Sequence, residues 1–512
     1  AQPGRMGGTP TPPPAENPAP TTHPGGHRDP TAGTRPRPPT PRPPAPPADP
    51  TRTMNPPTTR PDHHTPTGPE DTATVFLGEI LHFLDDPGDE EAPGSAEHHP
   101  EGALVVTPDG HVDWVGPATA LPSRHRHAPH VDHRGGLILP GFVDPHVHSS
   151  QIDAIAGPGQ DFQDWLTTTV YPREREFDDR DHARRAADFL LDTLLAAGTT
   201  TAGVFPTAHP ASVDGFLSAA LDRDLRMISG KVLMDRAPHA PDGLRDPDLA
   251  TAEHQTRDLL ERWHRRGRLG YALSPRFAPT STEALLTMVA RLHREIPDLW
   301  IQSHAAENQE EVALVNHLFG TDSPVALFDA HGLLGPRSIL GHCVHIDPTD
   351  RRRLARTGTA VAHCPTSNLF LGSGLFDLSS ALAAGIPVGI GTDVGAGTSY
   401  SPLVTLNAAH AVAALRGHPL SALRAFYLAT LGGARALRLD GAIGNLHPGR
   451  EADFVVLDWA ATPVLRRRTR RATTLTERLL ALMTLGDDRA VTATYVLGRP
   501  HHPRTTGPGH PR

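Results

Sequence analysis

Eight short apolar stretches recur between residues 137 and 391, and segments of amphipathic, helix-like character separate them. This alternation is the feature that most constrains the fold. Strands buried on both faces read as continuous apolar runs, and parallel pairing requires a crossover of helical length between neighbours. The runs cover 137–142, 199–205, 226–233, 269–273, 299–302, 339–341, 360–362 and 387–391. Eight strands close a (β/α)₈ barrel, so count and order together predict an α/β fold of TIM-barrel type. Several runs end in polar or charged residues, which such a barrel gathers at its C-terminal mouth, the place where these barrels carry chemistry.

The flanks read differently. Stretches 74–81, 103–107 and 111–115 have strand character, and a similar pair returns at 453–458 and 491–497. This predicts a small β-sandwich built from both chain ends, over 72–136 and 436–500, around a barrel over 137–435. Residues 1–71 are rich in Pro and Thr and nearly devoid of large apolar side chains. Such a segment cannot offset its ordering entropy and is expected to be a disordered tail, as is 501–512. The formal net charge of −9 is spread along 512 residues. The Arg-rich stretch 466–471 reads as a solvated surface, so nucleic acid is not expected as a partner. Two cysteines, Cys343 and Cys364, cannot make a disulfide framework and point to a reducing, cytoplasmic setting. No run of about 18 apolar residues predicts a membrane span, and no charged start with an apolar core predicts a signal peptide.

The chemistry begins at the end of the first run, in PGFVDPHVHSSQ. His146 and His148 stand two apart, so on a strand both side chains face the same way and can grip one metal ion. The fifth run ends at His304, the sixth at His342 and the eighth at Asp393. Histidines and an aspartate arriving together at strand ends form a plausible ligand shell with room for water. Glu307, three residues past His304 in QSHAAENQEEV, is a candidate proton carrier, whereas Glu310 and Glu311 read as helix-start residues facing the macrodipole. His63, His64, His98, His99, His501 and His502 are assigned to solvated tails. Cys343 follows His342 and so points to the opposite face, which argues against a nucleophile. His363, Cys364 and Asn368 are explained by a strand end, a proline turn and a loop.

Taken together these motifs resemble the guanine deaminases of the metal-dependent amidohydrolase superfamily, from about residue 72 to 498. The resemblance rests on PGFVDPHVHSSQ, the segment from Asp164 to Glu174, GKVLMD, SPRFAPTS, QSHAAEN, AHCPTSNLFLGSGLF and GTDVGAGTS. It implies one zinc ion per subunit held by His146, His148, His304 and Asp393. It implies Glu307 as general acid/base, His342 as a hydrogen-bond partner of water or substrate, and Asp393 as an orienter of the water. Gln151, Arg276 and Phe277 are implied as purine-recognition residues. Phe277 and Trp165 are each read either as core or as purine contacts. Two-metal relatives use a lysine at the end of the fourth strand. The single lysine here, Lys231, lies in the third run, which implies a mononuclear site.

The activity so implied is hydrolysis of guanine to xanthine and ammonia, by a homodimer with no nucleic-acid or membrane partner. An arginine fork matches the O6/N7 edge of guanine, and Gln151 can both donate to and accept from a lactam edge. Two alternatives stay open on sequence. One is deamination of another heterocycle (8-oxoguanine, cytosine or an s-triazine) on the same scaffold; the other is a barrel without activity.

Overall fold

The computed structural model describes residues 72–159 and 162–503. The tail expected at 1–71 and most of that at 501–512 lie outside the described residues. Sixteen strands among these residues form two sheets. The first four are β1 (Thr74–Phe83), β2 (Ala96–Val106), β3 (Val112–Pro117) and β4 (His130–Pro140). Nine follow: β5 (Phe142–His148), β6 (Thr199–Phe205), β7 (Arg226–Ser229), β8 (Val232–Leu233), β9 (Gly270–Pro275), β10 (Trp300–Ala305), β11 (Ser338–His342), β12 (Ala360–His363) and β13 (Val388–Ile390). Three close the order: β14 (Phe454–Asp458), β15 (Val491–Val496) and β16 (Arg499–Pro503).

The central sheet is the expected barrel. Its order is β5-β6-β7-β9-β10-β11-β12-β13, with β8 added alongside β9, and every ladder in it is parallel. The ring is completed past the ends of the ladders, where Asp393 N donates to His146 O and His148 N donates to Val394 O, each at 2.9 Å. Helices pack outside by the pattern their sequences carry. Glu283–Glu295 buries Leu285, Leu286, Val289 and Leu292 on one face, and Thr282 caps it by accepting from Leu285 N. Arg180–Ala196 likewise buries Leu190, Leu191 and Leu194 under the Asp179 cap. Each leucine so buried contributes about 2 kcal/mol of hydrophobic stabilisation.

The expected sandwich is one sheet of seven strands, in the order β16-β15-β14-β4-β1-β2-β3. The Phe76 ring on β1 lies 4.9 Å from Phe454 and 5.1 Å from Tyr495, on strands two and three places away. A flat sheet would separate such strands by about 10–15 Å, so this one bends over and encloses its apolar face. Its far edge is tied to the chain entering β14 by Val112 N donating to Arg450 O and Gly449 N to Val112 O, both at 2.8 Å.

Three sequence expectations need correction. Run 137–142 is not one barrel strand. Leu137, Ile138, Leu139 and Pro140 pair with β14 in the small sheet, and the barrel begins at Phe142. The chain crosses between sheets at Gly141, where a Cβ would meet Thr200 Oγ1 at 2.1 Å, so no side chain fits. Run 226–233 breaks into β7 and β8 at Gly230, where a Cβ would lie 1.9 Å from Ala272 O. The histidines assigned to tails are partly in strands: His98 and His99 in β2, His501 and His502 in β16. Edge pairing uses backbone groups and tolerates a polar, Pro-containing sequence. His63 and His64 lie outside the described residues.

Candidate active site

Strand ends at the C-terminal mouth deliver the charged residues to one point. His146 and His148 project from β5, His304 from β10 and His342 from β11, while Asp393 follows β13. Ala306, His342, Cys343 and Asp393 hold left-handed φ values of 50°, 69°, 50° and 51°. Such conformations cost non-glycine residues about 1 kcal/mol or more each, and here they turn the chain at the strand ends that carry His342 and Asp393.

Ligand atoms of His146, His304, His342 and Asp393 all lie within 4.8 Å of one another, and all four residues are buried. His148 joins them, with Nε2 3.2 Å from both Asp393 Oδ1 and His304 Nε2. His146 Nε2 lies 3.2 Å from the same Asp393 oxygen. Second contacts set the tautomers. His304 Nδ1 donates to Arg276 O at 2.7 Å and His342 Nδ1 to Asn368 Oδ1 at 2.9 Å, so both rings turn an Nε2 lone pair inward. The Nε2 atoms of His146 and His342 are buried without a hydrogen-bond partner among the described residues. Lone pairs converging on a carboxylate, shut away from water, fit a metal cation. Burial works against the Asp393 charge, but His146 and its neighbours outweigh it and hold the carboxyl well below its usual range. Burial lowers the imidazoles of His304 and His148, favouring the neutral form a ligand needs.

Behind the cluster, Asp144 ties two ligand-bearing segments together. Its Oδ1 accepts from His146 N and Thr392 N, each at 3.1 Å, and its Oδ2 accepts from the Thr392 hydroxyl. Burial raises the Asp144 carboxyl to about 6.

Beside the cluster opens a pocket of about 400 Å³. Glu307 lines one side, 3.7 Å from His342 Nε2 through its Oε2, and accepts from Ser373 Oγ at 3.4 Å. Burial, with the Asp393 charge adding to it, pushes Glu307 up to about 8. Gln151, Arg276 and Phe277 line the pocket as well, together with Trp165, whose Nε1 is buried without a partner among the described residues. Arg276 and Gln151 share one counter-group, the fully buried Glu174. Arg276 Nη1 donates to Glu174 Oε2 at 2.7 Å, and Gln151 Nε2 donates to Oε1 at 3.0 Å. The Gln151 amide keeps a second N–H, and its oxygen accepts from Gly395 N at 3.4 Å with one lone pair to spare.

The amidohydrolase family profile matches residues 137–500. The guanine deaminase of Escherichia coli (strain K12) is 44% identical over 426 residues, covering 82% of this chain and 95% of that protein. The chain belongs to the amidohydrolase family, among its guanine deaminases. The solved structure of the E. coli guanine deaminase superposes with a TM-score of 0.79 at 42% identity, covering 85% of this chain and all of that one. A Clostridium acetobutylicum guanine deaminase solved with guanine in its active site gives 0.75 at 27% identity, over 84% and 99% of the two chains.

Within this family member the sequence-predicted site residues line this pocket, except His146, which sits in the ligand cluster beside it. Outside it stay Lys231, which pairs with Asp246 in the barrel wall, and the buried Cys343, which packs in the core. His363 is buried against Phe376 at 4.9 Å, and burial lowers its imidazole to about 3. Glu311 departs from its reading as a macrodipole residue. It is buried, and it accepts from Ala306 N at 3.1 Å and Glu307 N at 2.8 Å, holding the turn that carries Glu307. Sequence reasoning missed Asp144 and the clamp role of Glu174. Their signal is an acidic residue inside an otherwise buried stretch, which does not name the partner.

Proposed function

We propose that the chain hydrolyses guanine to xanthine and ammonia with one zinc ion per subunit, held by His146, His148, His304 and Asp393. Three imidazole nitrogens and a carboxylate oxygen suit zinc. The only lysine is committed to Asp246, which supports a mononuclear site. When bound, the metal supplies Lewis acidity that makes water nucleophilic near neutral pH. The rest falls to side chains. Glu307 takes a proton from the attacking water and delivers it to N3 as C2 becomes tetrahedral. It then carries the proton of the new C2 hydroxyl to the amine, which leaves as ammonia as the C2–N bond breaks and the C2 carbonyl of xanthine forms. His342 hydrogen-bonds the reacting oxygen, and Asp393 orients the water. Arg276 meets the O6/N7 acceptor edge and Gln151 accepts from the lactam, with Phe277 against the ring. Adenine would bring an amine against the arginine donors and is discriminated against.

The observation that carries this reading is the facing arrangement of Glu307 beside the His/Asp cluster and the Glu174-clamped Arg276–Gln151 pair within one pocket. The proposal extends to a homodimer in the cytoplasm acting on a small-molecule substrate. The buried free thiols Cys343 and Cys364 support the reducing compartment. No helix among the described residues is long and apolar enough to cross a membrane.

Xanthine and ammonia release from guanine, run beside adenine, cytosine and 8-oxoguanine, tests the assignment. Glu307→Gln is expected to lower turnover by about 10²–10⁴-fold with metal content and melting temperature preserved. A chelated sample is expected to be inactive and restored by zinc. Full activity in Glu307→Gln would remove Glu307 from the mechanism, and no guanine turnover by zinc-loaded protein would overturn the substrate.

A further inference from the structure

A second pocket, of about 560 Å³, opens at the opposite end of the barrel. It is built from strand beginnings: Arg226 starts β7, Gly270 starts β9, Trp300 starts β10, and Arg337 immediately precedes β11. Ile228, Leu269 and Leu439 add apolar wall. Four arginines line it (Arg226, Arg265, Arg268 and Arg337), against a single lining carboxylate, Asp298.

Three of these arginines are neutralised. Arg226 and Arg268 both donate to Glu451, and Arg268 also reaches Asp453. Arg265 Nε donates to Asp298 at 2.7 Å. Arg337 is not. Its guanidinium lies 4.3 Å over the Trp300 ring, and Nη1 is buried without a hydrogen-bond partner among the described residues. Burial, with Arg438 and Arg265 nearby, works against its charge, and the Asp298 carboxylate works for it. Trp300 is itself held, its Nε1 donating to Leu437 O at 2.8 Å, so the platform that orients the guanidinium is rigid. A half-buried, stacked guanidinium with an unpaired donor thus lines a pocket whose other arginines are already hydrogen-bonded to carboxylates. Leaving such a donor unpaired is costly, and an anionic acceptor would relieve that cost.

We propose that this pocket binds a small organic oxyanion, its phosphate or carboxylate group accepting from the Arg337 fork and its apolar body resting on Ile228, Leu269 and Leu439. Planar forks prefer such acceptors, and stacking on an indole pre-organises the fork for two parallel hydrogen bonds. The site lies across the barrel from the catalytic mouth, so its occupancy is read without guanine.

The test uses the zinc-loaded full chain, titrated with inorganic phosphate, a purine nucleoside monophosphate and succinate, and followed by calorimetry and thermal melting. Saturable binding by at least one of them, with a dissociation constant of 5 mM or tighter, is expected. Arg337→Gln is expected to weaken it at least fivefold while guanine turnover stays within twofold. Arg337→Lys keeps the charge but loses the fork, and is expected to weaken binding as well. It also serves as the probe if Arg337→Gln does not fold. Tighter binding of the nucleotide or succinate than of phosphate is expected, and binding of phosphate alone would overturn the organic ligand. Generic salt stabilisation is unsaturable and equal in the variants. That pattern, or unchanged affinity in both variants, would overturn the proposal.

Discussion

At the residue scale the pocket depends on one carboxylate that need not touch substrate. Glu174 is fully buried and holds Arg276 and Gln151, which are 125 residues apart in the chain. Preorganising donors before substrate arrives removes an orientational cost from binding, and small misplacements of such groups cost orders of magnitude. Glu174→Gln keeps the shape but removes the counter-charge and frees the Gln151 amide to rotate. Guanine kcat/KM is expected to fall about 10–100-fold, mainly through KM, with selectivity over adenine narrowed and metal content unchanged. Steady-state kinetics on both bases checks this, and an unaltered KM would reduce Glu174 to a packing role. Gln151 and Arg276 were legible as residues because their motifs are distinctive. Their shared partner was not, since it is supplied from a separate helical segment, Tyr171–Glu174, across the barrel mouth.

Among the elements, the strands do more than present ligands; they leave room for them. Gly341 on β11 faces His146, and a Cβ there would stand 2.9 Å from His146 Cε1. Gly391, just past β13, is similarly close, its Cβ position 3.0 Å from His146 Cβ. The imidazole is therefore seated between two strands that lack side chains where it lies. Gly341→Ala is expected to displace His146 and weaken zinc binding about 10–100-fold, with the metal-free protein still folded. A competitive zinc titration with a chromophoric chelator measures it, and wild-type affinity would show that the ring tolerates the methyl. Run 339–341 was readable as a strand from its apolar character. That its terminal glycine makes space for a ligand from β5 was not, because the demand comes from a residue 195 positions away.

For the whole molecule, stability against acid is set partly in the small sheet. His82 on β1 is fully buried, and burial lowers its imidazole to about 4, only partly opposed by Glu97 at 3.3 Å. The folded pKa lies below that of the unfolded chain, about 6.5, so the unfolded state binds more protons between these values. Stability should therefore fall as pH drops from about 6.5 to 4, by up to about 3 kcal/mol from this residue. Urea unfolding of the zinc-loaded protein across that window is expected to show the slope, and His82→Leu to flatten it; identical slopes would assign the acid sensitivity elsewhere. What sequence alone determined is what local pattern encodes. Eight apolar runs spaced by helical lengths specify a parallel barrel, and polar residues at their ends specify where its chemistry lies. Tertiary structure decided what depends on distance. Residues 137–140 look like barrel strand, but they pair with β14, more than 300 residues on. Asp144 looks like part of a ligand motif, but it binds Thr392 behind the site. Arg337 merely precedes β11 along the chain, but Trp300 stacks it into a pocket. Periodicity is a property of neighbours along the chain, whereas pairing, burial and charge balance are properties of neighbours in space.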